Sequence, residues 1–311
     1  MSNFNVKKVI QITLLLVLIS IGFALIAAKI QGRSILVAEN EVSVSNDKGT
    51  IDETQIFDIK AINSVLVDTV SSDVNIILSK EDTIKVHFHG TASEISRAPK
   101  LEASLSGDKL DISIKYPKQI MSLVNFRLNT KLDIYIPVNY KQSMEIETVS
   151  GKISIDKLKS ENFTAHTTSG DVDINSLVAN ITDFSSVSGT IDIKALSSKT
   201  NGFKTTSGDI KIETITGDVK ANSVSGSIKA LYSEFNNEVK AETVSGDVEI
   251  SLPQSSEFKV EFSSTSGELD NDFPLIVTGK VDKRNINGTV GNGQKTIRIE
   301  TISGDAAINK R

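Results

Sequence analysis

Cysteine and tryptophan are absent from this 311-residue chain, and aromatic residues together make up only 5% of it. Without cysteine the chain has neither a disulfide framework nor a lipid-attachment cysteine. The scarcity of aromatic rings argues against a stacking platform for sugars, and no basic patch with interleaved aromatics points to nucleic acid. The core of a folded domain must therefore consist mainly of isoleucine, valine and leucine.

Acidic residues are missing from residues 1–33, where Val9–Ala28 forms a mostly apolar span between lysines. Twenty residues at about 1.5 Å each give about 30 Å, the thickness of a bilayer core. We expect an uncleaved signal-anchor that crosses the lipid bilayer through residues 9–28, with the N-terminus cytoplasmic and the remainder outside the membrane. A cleaved signal peptide ending near Ala28 is the alternative.

The part of the chain that follows this segment is acidic. Four of the 34 basic residues lie in residues 1–33, which leaves 30 basic against 39 acidic side chains and a net charge of about −9 for residues 34–311. An acidic domain of this kind is a poor ligand for nucleic acid or for anionic membrane surfaces. We therefore expect no nucleic-acid partner.

A phrase built on Ser-Gly or Thr-Gly recurs nine times at separations of 19, 19, 19, 9, 9, 20, 21 and 37 residues. A fixed period near 19 residues is typical of a stacked fold in which each unit buries its apolar face against its neighbours. The glycines of the phrase are Gly151, Gly170, Gly189, Gly208, Gly217, Gly226, Gly246, Gly267 and Gly304.

Residue types repeat around each glycine. Five residues before it the side chain is apolar, three before it carries a hydroxyl, and the positions two and four after it are nearly all apolar and often β-branched. This alternation is typical of half-buried strands, and the pattern predicts strand, turn, strand, turn. No proline interrupts residues 138–252, which agrees with continuous sheet ladders.

The glycine has two candidate roles. It supplies a positive φ at a corner or bulge, or it sits where a side chain would collide with the next rung. The apolar positions before and after it differ in parity, so we favour the corner, and an unbroken strand from Val149 to Ile155 is the alternative.

These patterns predict an all-β protein, a single-stranded β-solenoid of about 19-residue rungs preceded by one transmembrane helix. Its parts are a cytoplasmic tail and signal-anchor (1–33), a membrane-proximal irregular β region acting as a cap (34–145), and the β-repeat solenoid with a C-terminal cap (146–311). About eight rungs at about 4.8 Å would give a rod of about 40 Å.

The residue after the glycine is often acidic, as at Asp171, Asp209 and Asp247, and the acids alternate with neutral or basic residues. Alternation keeps like charges on successive rungs apart. Some β-solenoids bind Ca²⁺ through Gly- and Asp-rich turns, but one glycine and one intermittent acid per turn favour ordinary turn hydrogen bonds to backbone.

Two ranks of hydroxyls precede each glycine, at three residues and one residue before it. If both ranks faced outward on a flat sheet, they would resemble the surface of ice-binding solenoids or a template for a repetitive glycan. If they faced inward or bordered the corner, they would form hydroxyl ladders bonded to backbone, which is the interpretation we favour. The pairs are Thr148/Ser150, Thr167/Ser169, Ser186/Ser188, Thr205/Ser207, Thr214/Thr216, Ser223/Ser225, Thr243/Ser245, Ser264/Ser266 and Thr301/Ser303.

Candidate catalytic or metal-binding chemistry is sparse. His87 and His89 alternate on one strand face and could both reach a metal, but two ligands without a third favour exposed strand histidines. His166 is a lone strand residue. The sequence has no nucleophile elbow, phosphate loop or zinc-protease helix. We therefore expect no enzyme, and no catalytic, cofactor-binding or metal-binding residue.

Two segments resemble a known family. Residues 132–137 (LDIYIP), running into residues 144–151 (MEIETVSG), are similar to the entry into the repeats of the bacterial putative-adhesin family with β-strand repeats. Residues 291–293 (GNG), followed by residues 297–305 (IRIETISGD), are similar to its C-terminal signature, and the resemblance covers roughly residues 51–311. The family is of unknown function and includes LiaG-like membrane proteins. The resemblance implies an association with envelope stress in Gram-positive bacteria and carries over no catalytic residues.

The sequence thus predicts a non-enzymatic binding or structural module of the cell envelope, adhesin-like, with a glycan or protein of the envelope as partner. An envelope-stress regulator acting through a membrane or protein partner is the first alternative, and a β-helix enzyme acting on polysaccharides is the second. End-to-end polymerisation is a further alternative, which the irregular flanks oppose because they resemble caps.

Overall fold

The computed structural model describes residues 49–117, 127–278 and 282–311, and this part of the chain is all-β, as predicted. None of its helices is long and apolar enough to cross a membrane. The predicted signal-anchor over residues 9–28 lies outside the described residues and stays a prediction.

Twenty-three strands and two short 3₁₀ helices, Ile59–Ala61 and Ile95–Arg97, make up the described structure. The N-terminal strands are β1 (Gly49–Asp58), β2 (Ser64–Thr69), β3 (Asp73–Ser79), β4 (Thr83–Ala92), β5 (Lys100–Ser106), β6 (Lys109–Lys115) and β7 (Leu128–Pro137). The central strands are β8 (Ser143–Thr148), β9 (Ile153–Lys159), β10 (Asn162–Thr167), β11 (Val172–Val178), β12 (Ile181–Ser186), β13 (Ile191–Thr205), β14 (Ile210–Ser223), β15 (Ile228–Tyr232), β16 (Val239–Thr243) and β17 (Val248–Leu252). The C-terminal strands are β18 (Phe258–Ser263), β19 (Leu269–Asn271), β20 (Ile276–Val277), β21 (Asn285–Val290), β22 (Thr296–Glu300) and β23 (Ala306–Lys310).

The strands form two parallel ladders that face each other. The first sheet holds the strands that precede each Ser-Gly corner and the second sheet holds those that follow it. One strand of each sheet with the corner between them makes a coil, and successive coils stack in register: Val172 pairs with Ile153, and Ile191 pairs with Val172. Strands β13 and β14 are long because each continues from the second sheet into the first. This arrangement is that of a β-solenoid.

The stacking order departs from chain order at both ends. At the N-terminal end β2 and β3 stack directly on β8 and β9, although paired residues such as Val74 and Ile153 are 79 positions apart in sequence. At the C-terminal end β22 and β23 insert between the β16–β17 coil and the β18–β19 coil. The last strands of the chain therefore lie inside the stack, which the linear repeat did not predict.

Antiparallel strands cover the two ends of the stack. At one end β4 lies between β1 and β7, and β5 pairs with β6. At the other end β21 pairs with β18 and β20 pairs with β21. The exposed edges of a parallel stack would otherwise present unpaired backbone groups to another chain.

Aliphatic side chains fill the space between the two sheets, as the composition predicted. Val172, Ile191 and Ile210 occupy one such column and are fully buried. Three buried phenylalanines form a short stack on the inner face of the first sheet. The ring centroids are 5.7 Å apart between Phe163 and Phe184 and 5.3 Å apart between Phe184 and Phe203. Each coil buries its apolar residues against the coils above and below, so no coil has a core of its own.

The repeat glycines lie at corners, but a positive φ is not the reason. The described glycines with positive φ are Gly90, Gly107, Gly217 and Gly291. Of these, only Gly217 is a repeat glycine. At the remaining eight repeat glycines, a β-carbon would lie 1.9–2.1 Å from the carbonyl oxygen of the corner residue in the neighbouring coil. Close backbone stacking therefore requires glycine, and our favoured explanation by positive φ is wrong for this column. Its members, in stacking order after Ser72, are Gly151, Gly170, Gly189, Gly208, Gly226, Gly246, Gly304 and Gly267.

Gly217 does not belong to this column. It has a φ of 96° and lies within β14 on the opposite side of the coil, where a β-carbon would meet the carbonyl oxygen of Ser198 at 2.1 Å. The step from Gly208 to Gly226 is thus one coil, because Gly226 stacks on Gly208. The two apparent half-periods of nine residues arise because the opposite corner of this coil also contains a Thr-Gly pair, Thr216-Gly217.

Candidate functional site

The first hydroxyl rank faces the interior. Thr167 is fully buried at the end of β10, and the backbone N–H of Gly170 donates a hydrogen bond to its Oγ1 at 2.8 Å. The same bond links Gly151 to Thr148 at 3.0 Å. At Thr243 the direction reverses, since its hydroxyl donates to the carbonyl of Gly246 at 2.7 Å. These three hydroxyls hold the corner of their own coil, as the ladder interpretation predicts, whereas the buried hydroxyls of Ser186 and Thr205 in the same rank have no hydrogen-bond partner among the described residues.

The second rank, one residue before the glycine, faces solvent. Ser169, Ser188, Ser207 and Ser225 are exposed and form a single line of hydroxyls along the corner edge. The two ranks therefore do not lie together on one flat outward surface, as the ice-binding alternative would require.

The aspartates after the glycine join successive coils. The Asp171 carboxylate accepts the backbone N–H of Thr190 at 2.8 Å, and Asp209 accepts that of Ser227 at 2.8 Å. The predicted bond to backbone is present, but it reaches the next coil rather than the local turn. The acidic residues stop alternating with neutral or basic ones where the inserted coil brings together Asp247, Asp305 and Glu268. There the backbone N–H of Asp305 donates a hydrogen bond to the Asp247 carboxylate at 2.9 Å.

The lone His166 belongs to a polar row on the outer face of the first sheet. Its Nδ1 contacts Oγ of Ser185, the residue that pairs with it in β12. Burial lowers the pKa of His166, while Asp183 and Glu145 oppose this effect. Ser185 is only 5% exposed, so its hydroxyl is poorly placed to attack a large substrate.

Three cations lie side by side on the same outer face. Lys220 of β14, Lys240 of β16 and Arg298 of β22 are paired in register on adjacent strands. They line a shallow depression of about 300 Å³, together with two acids, Asp218 and Glu238, and with Thr296. Like charges directly opposite each other on neighbouring strands destabilise a sheet, so this cation row has an energetic cost.

Ion pairs offset that cost only in part. Lys240 contacts Glu242 at 2.7 Å, and Arg298 contacts Glu261 at 2.5 Å. Lys220 is exposed and forms no ion pair with any residue in the described ranges. Lys220 is therefore the member of the cation row that is most available to an anionic group from outside the chain.

A second cluster lies on the outer face of the second sheet, at the β1–β4–β7 end. His87 and His89 of β4 and Asp133 of β7 each offer one ligand atom, and these atoms lie within 4.8 Å of one another. Among the residues described here they form the one group of three such side chains that could hold a metal ion. Sequence reasoning found the two histidines and missed Asp133, which is 44 residues away.

Comparison with known proteins identifies the fold. The model of the Toastrack DUF4097 family matches residues 62–309. A putative adhesin from Bacteroides fragilis NCTC 9343 is 16% identical, covers 86% of this chain and 100% of its own, and superposes with a TM-score of 0.54. Parabacteroides distasonis ATCC 8503 supplies a putative adhesin (13% identity, 86% and 99% coverage, TM-score 0.45) and a putative lipid binding protein (18%, 84% and 96%, 0.43). No curated protein matches the chain. At these identities the likeness concerns fold alone.

Proposed function

Because this chain belongs to the Toastrack DUF4097 family, we propose that it is a non-enzymatic binding and structural module of the cell envelope, adhesin-like in its action. In this proposal residues 9–28 anchor it in the membrane and the β domain lies outside. The apolar span between lysines supports the anchor, and the putative adhesins of the same fold support the binding function.

The cation row is the observation that carries the proposal. Hydroxyls of the inward rank and the aspartates after the glycines bond within the scaffold, to corner glycines and to the next coil, and the outward serines form only a single line of neutral hydroxyls. Lys220, Lys240 and Arg298 instead point outward and lie in register on a sheet that parallel stacking makes rigid. Their expected ligand is an anionic group, phosphate or carboxylate, repeated along a polymer of the envelope, which would meet this local cation row on a domain whose overall charge is negative.

A long regular face also suits a polymer better than a small molecule. Adjacent strands are about 4.8 Å apart, so the three cations repeat at that spacing along the stack. A polymer with anionic groups can contact several of them at once, and such linked contacts raise the overall affinity.

Sedimentation of the full-length protein with isolated cell walls tests this function. Replacing Lys220, Lys240 and Arg298 by alanine should abolish co-sedimentation at low salt. The matched control replaces Lys152, Lys211 and Lys229, three cations that pair with acids around the second sheet, and it should bind as the parent does. Both variants lose three positive charges, so a general charge effect would weaken both equally.

Other outcomes would favour the alternatives. No binding of the parent protein across a range of salt concentrations would overturn the adhesin-like function. Crosslinking in membranes that captures one defined protein would favour a regulator of envelope stress. Turnover of wall glycans that a single carboxylate substitution abolishes would show an enzyme.

A further inference from the structure

Four neighbouring strands bring polar side chains to one place on the outer face of the second sheet. Their spatial order is β1, β4, β7 and β3. Asp52 comes from β1, His87 and His89 from β4, Asp133 from β7 and Asn75 from β3. Register places Asp52 opposite His89, His87 opposite Asp133, and Asp133 opposite Asn75.

The two histidines are held against each other and against the carboxylates. Their rings stack with centroids 4.4 Å apart and 19° between the planes. His89 Nε2 lies 2.9 Å from Asp133 Oδ2, and His87 Nε2 lies 2.8 Å from Asp52 Oδ1. Imidazole nitrogens and a carboxylate oxygen thus already converge within metal-binding reach.

Asp133 is the best-fixed member of the cluster. Its side chain is only 15% exposed, and Nδ2 of Asn75 donates a hydrogen bond to its Oδ1 at 2.6 Å. That bond leaves Oδ2 directed toward His89. A hydrogen bond from a neighbouring amide to a ligating carboxylate is a common way to orient a metal ligand.

We propose that His87, His89 and Asp133 bind one divalent transition-metal ion. Two imidazole nitrogens with one carboxylate favour Zn²⁺, Co²⁺, Ni²⁺ or Cu²⁺ over Ca²⁺ or Mg²⁺, which prefer oxygen ligands. Three protein ligands leave coordination positions open to water or to an external group.

Charge around the cluster favours a cation. Asp133 supplies a negative charge that is mostly shielded from solvent, and Asp52, whose side chain is 75% exposed, adds a charge that solvent screens. Lys131, which faces His89 across the β4–β7 ladder, opposes this effect, but it is exposed and therefore well screened by solvent.

The metal would join the antiparallel strands that end the stack. β4 is fully paired with β1 and β7, so the ligands sit on a rigid support and little ordering is needed on binding. An ion held between β4 and β7 would stabilise this end of the stack by mass action, because it binds the folded form.

Histidine-labelled NMR of the tag-free, full-length protein tests the proposal directly, since the chain has three histidines and His166 lies outside the cluster. Zinc should shift the imidazole ¹⁵N signals of His87 and His89, with saturation at one equivalent, and leave His166 unchanged. His166→Ala assigns the control signal. No change at His87 and His89 in excess zinc, or an equal response of all three histidines, would overturn the proposal.

Cobalt binding supplies a second, optical readout. Co²⁺ should give saturable visible absorption bands in the parent protein and in His166→Ala, and His89→Ala and Asp133→Asn should lose them. Asn75→Ala should weaken Co²⁺ binding by about 10- to 100-fold, the usual effect of removing a partner of a ligand. Identical Co²⁺ titrations for the parent and for His89→Ala would contradict the proposal even if one variant proved unstable.

Discussion

The carbonyl oxygen of Gly170 lies 1.9 Å from the point that a β-carbon on Gly189 would occupy. Atoms do not approach that closely, so a side chain at 189 would force the two coils apart. The same relationship recurs along the whole corner column, which makes the glycines a requirement of coil spacing rather than of turn conformation.

Gly189→Ala should therefore be strongly destabilising, by roughly 3 kcal/mol in the free energy of unfolding, because the nearest atoms are rigid backbone. Gly202→Ala is the matched control: a β-carbon there meets its nearest atoms at 3.5 Å, an ordinary contact, and should change stability by less than about 0.5 kcal/mol. Denaturant unfolding of both variants measures the difference. Equal midpoints for the two variants would refute the stacking explanation.

Thr167→Val should cost about 1–3 kcal/mol, because it leaves the buried N–H of Gly170 without its acceptor. Ser169→Ala, two residues away in the exposed rank, should be nearly neutral. Thermal unfolding of the two variants separates the inward rank from the outward one.

The protein should also show no thermal hysteresis, since a single line of serines does not make the flat double array of an ice-binding surface.

Asp171→Ala should cost about 1 kcal/mol through loss of the bond to the Thr190 N–H, whereas Asp171→Asn keeps an acceptor oxygen and should cost less. If these aspartates bound Ca²⁺ instead, both variants would lose a calcium-dependent rise in melting temperature. We expect no such rise in the parent protein. A calcium-dependent melting temperature that Asp171→Asn removes would restore the calcium hypothesis.

His166 should make stability fall as the solution is acidified. Burial depresses its pKa in the folded state below the ordinary 6.5, so the unfolded chain binds a proton more readily. The stabilising contribution of neutral His166 is complete above pH 6.5 and is lost as pH falls from there toward the folded-state pKa. His166→Gln should flatten the stability profile in this window; an unchanged slope would show that His166 does not titrate abnormally.

The Ser-Gly columns allowed much of the fold to be predicted. Period, alternation and the proline gap predicted parallel-stacked strands, and residues such as Ile153, Val172 and Ile191 fall in the predicted core. The position of the inserted β22–β23 coil could not be predicted, because sequence order contains no information about which edge strand a later segment will pair with. The sequence also counted Gly217 as a repeat glycine of the same column, because a Thr-Gly pair can occur at either corner of a coil and the sequence does not distinguish the two corners.

The candidate sites depend even more on tertiary structure. His87 and His89 were visible as a strand pair, but Asp133 becomes their neighbour only through the antiparallel β4–β7 register. Lys220, Lys240 and Arg298 come from segments 20 and 58 residues apart and meet only because β22 stacks on β16.

The sequence by itself determined the repeat, because a coil that buries its apolar residues against identical neighbours must present the same residue types at every period. It also determined that glycine, hydroxyl and apolar residues recur at fixed separations from one another in each period. Tertiary structure decided which faces these columns occupy, why the corner must be glycine, and which charged and imidazole groups share a surface. Local sequence controls alternation along a strand, whereas register between distant strands is settled only when the coils pack.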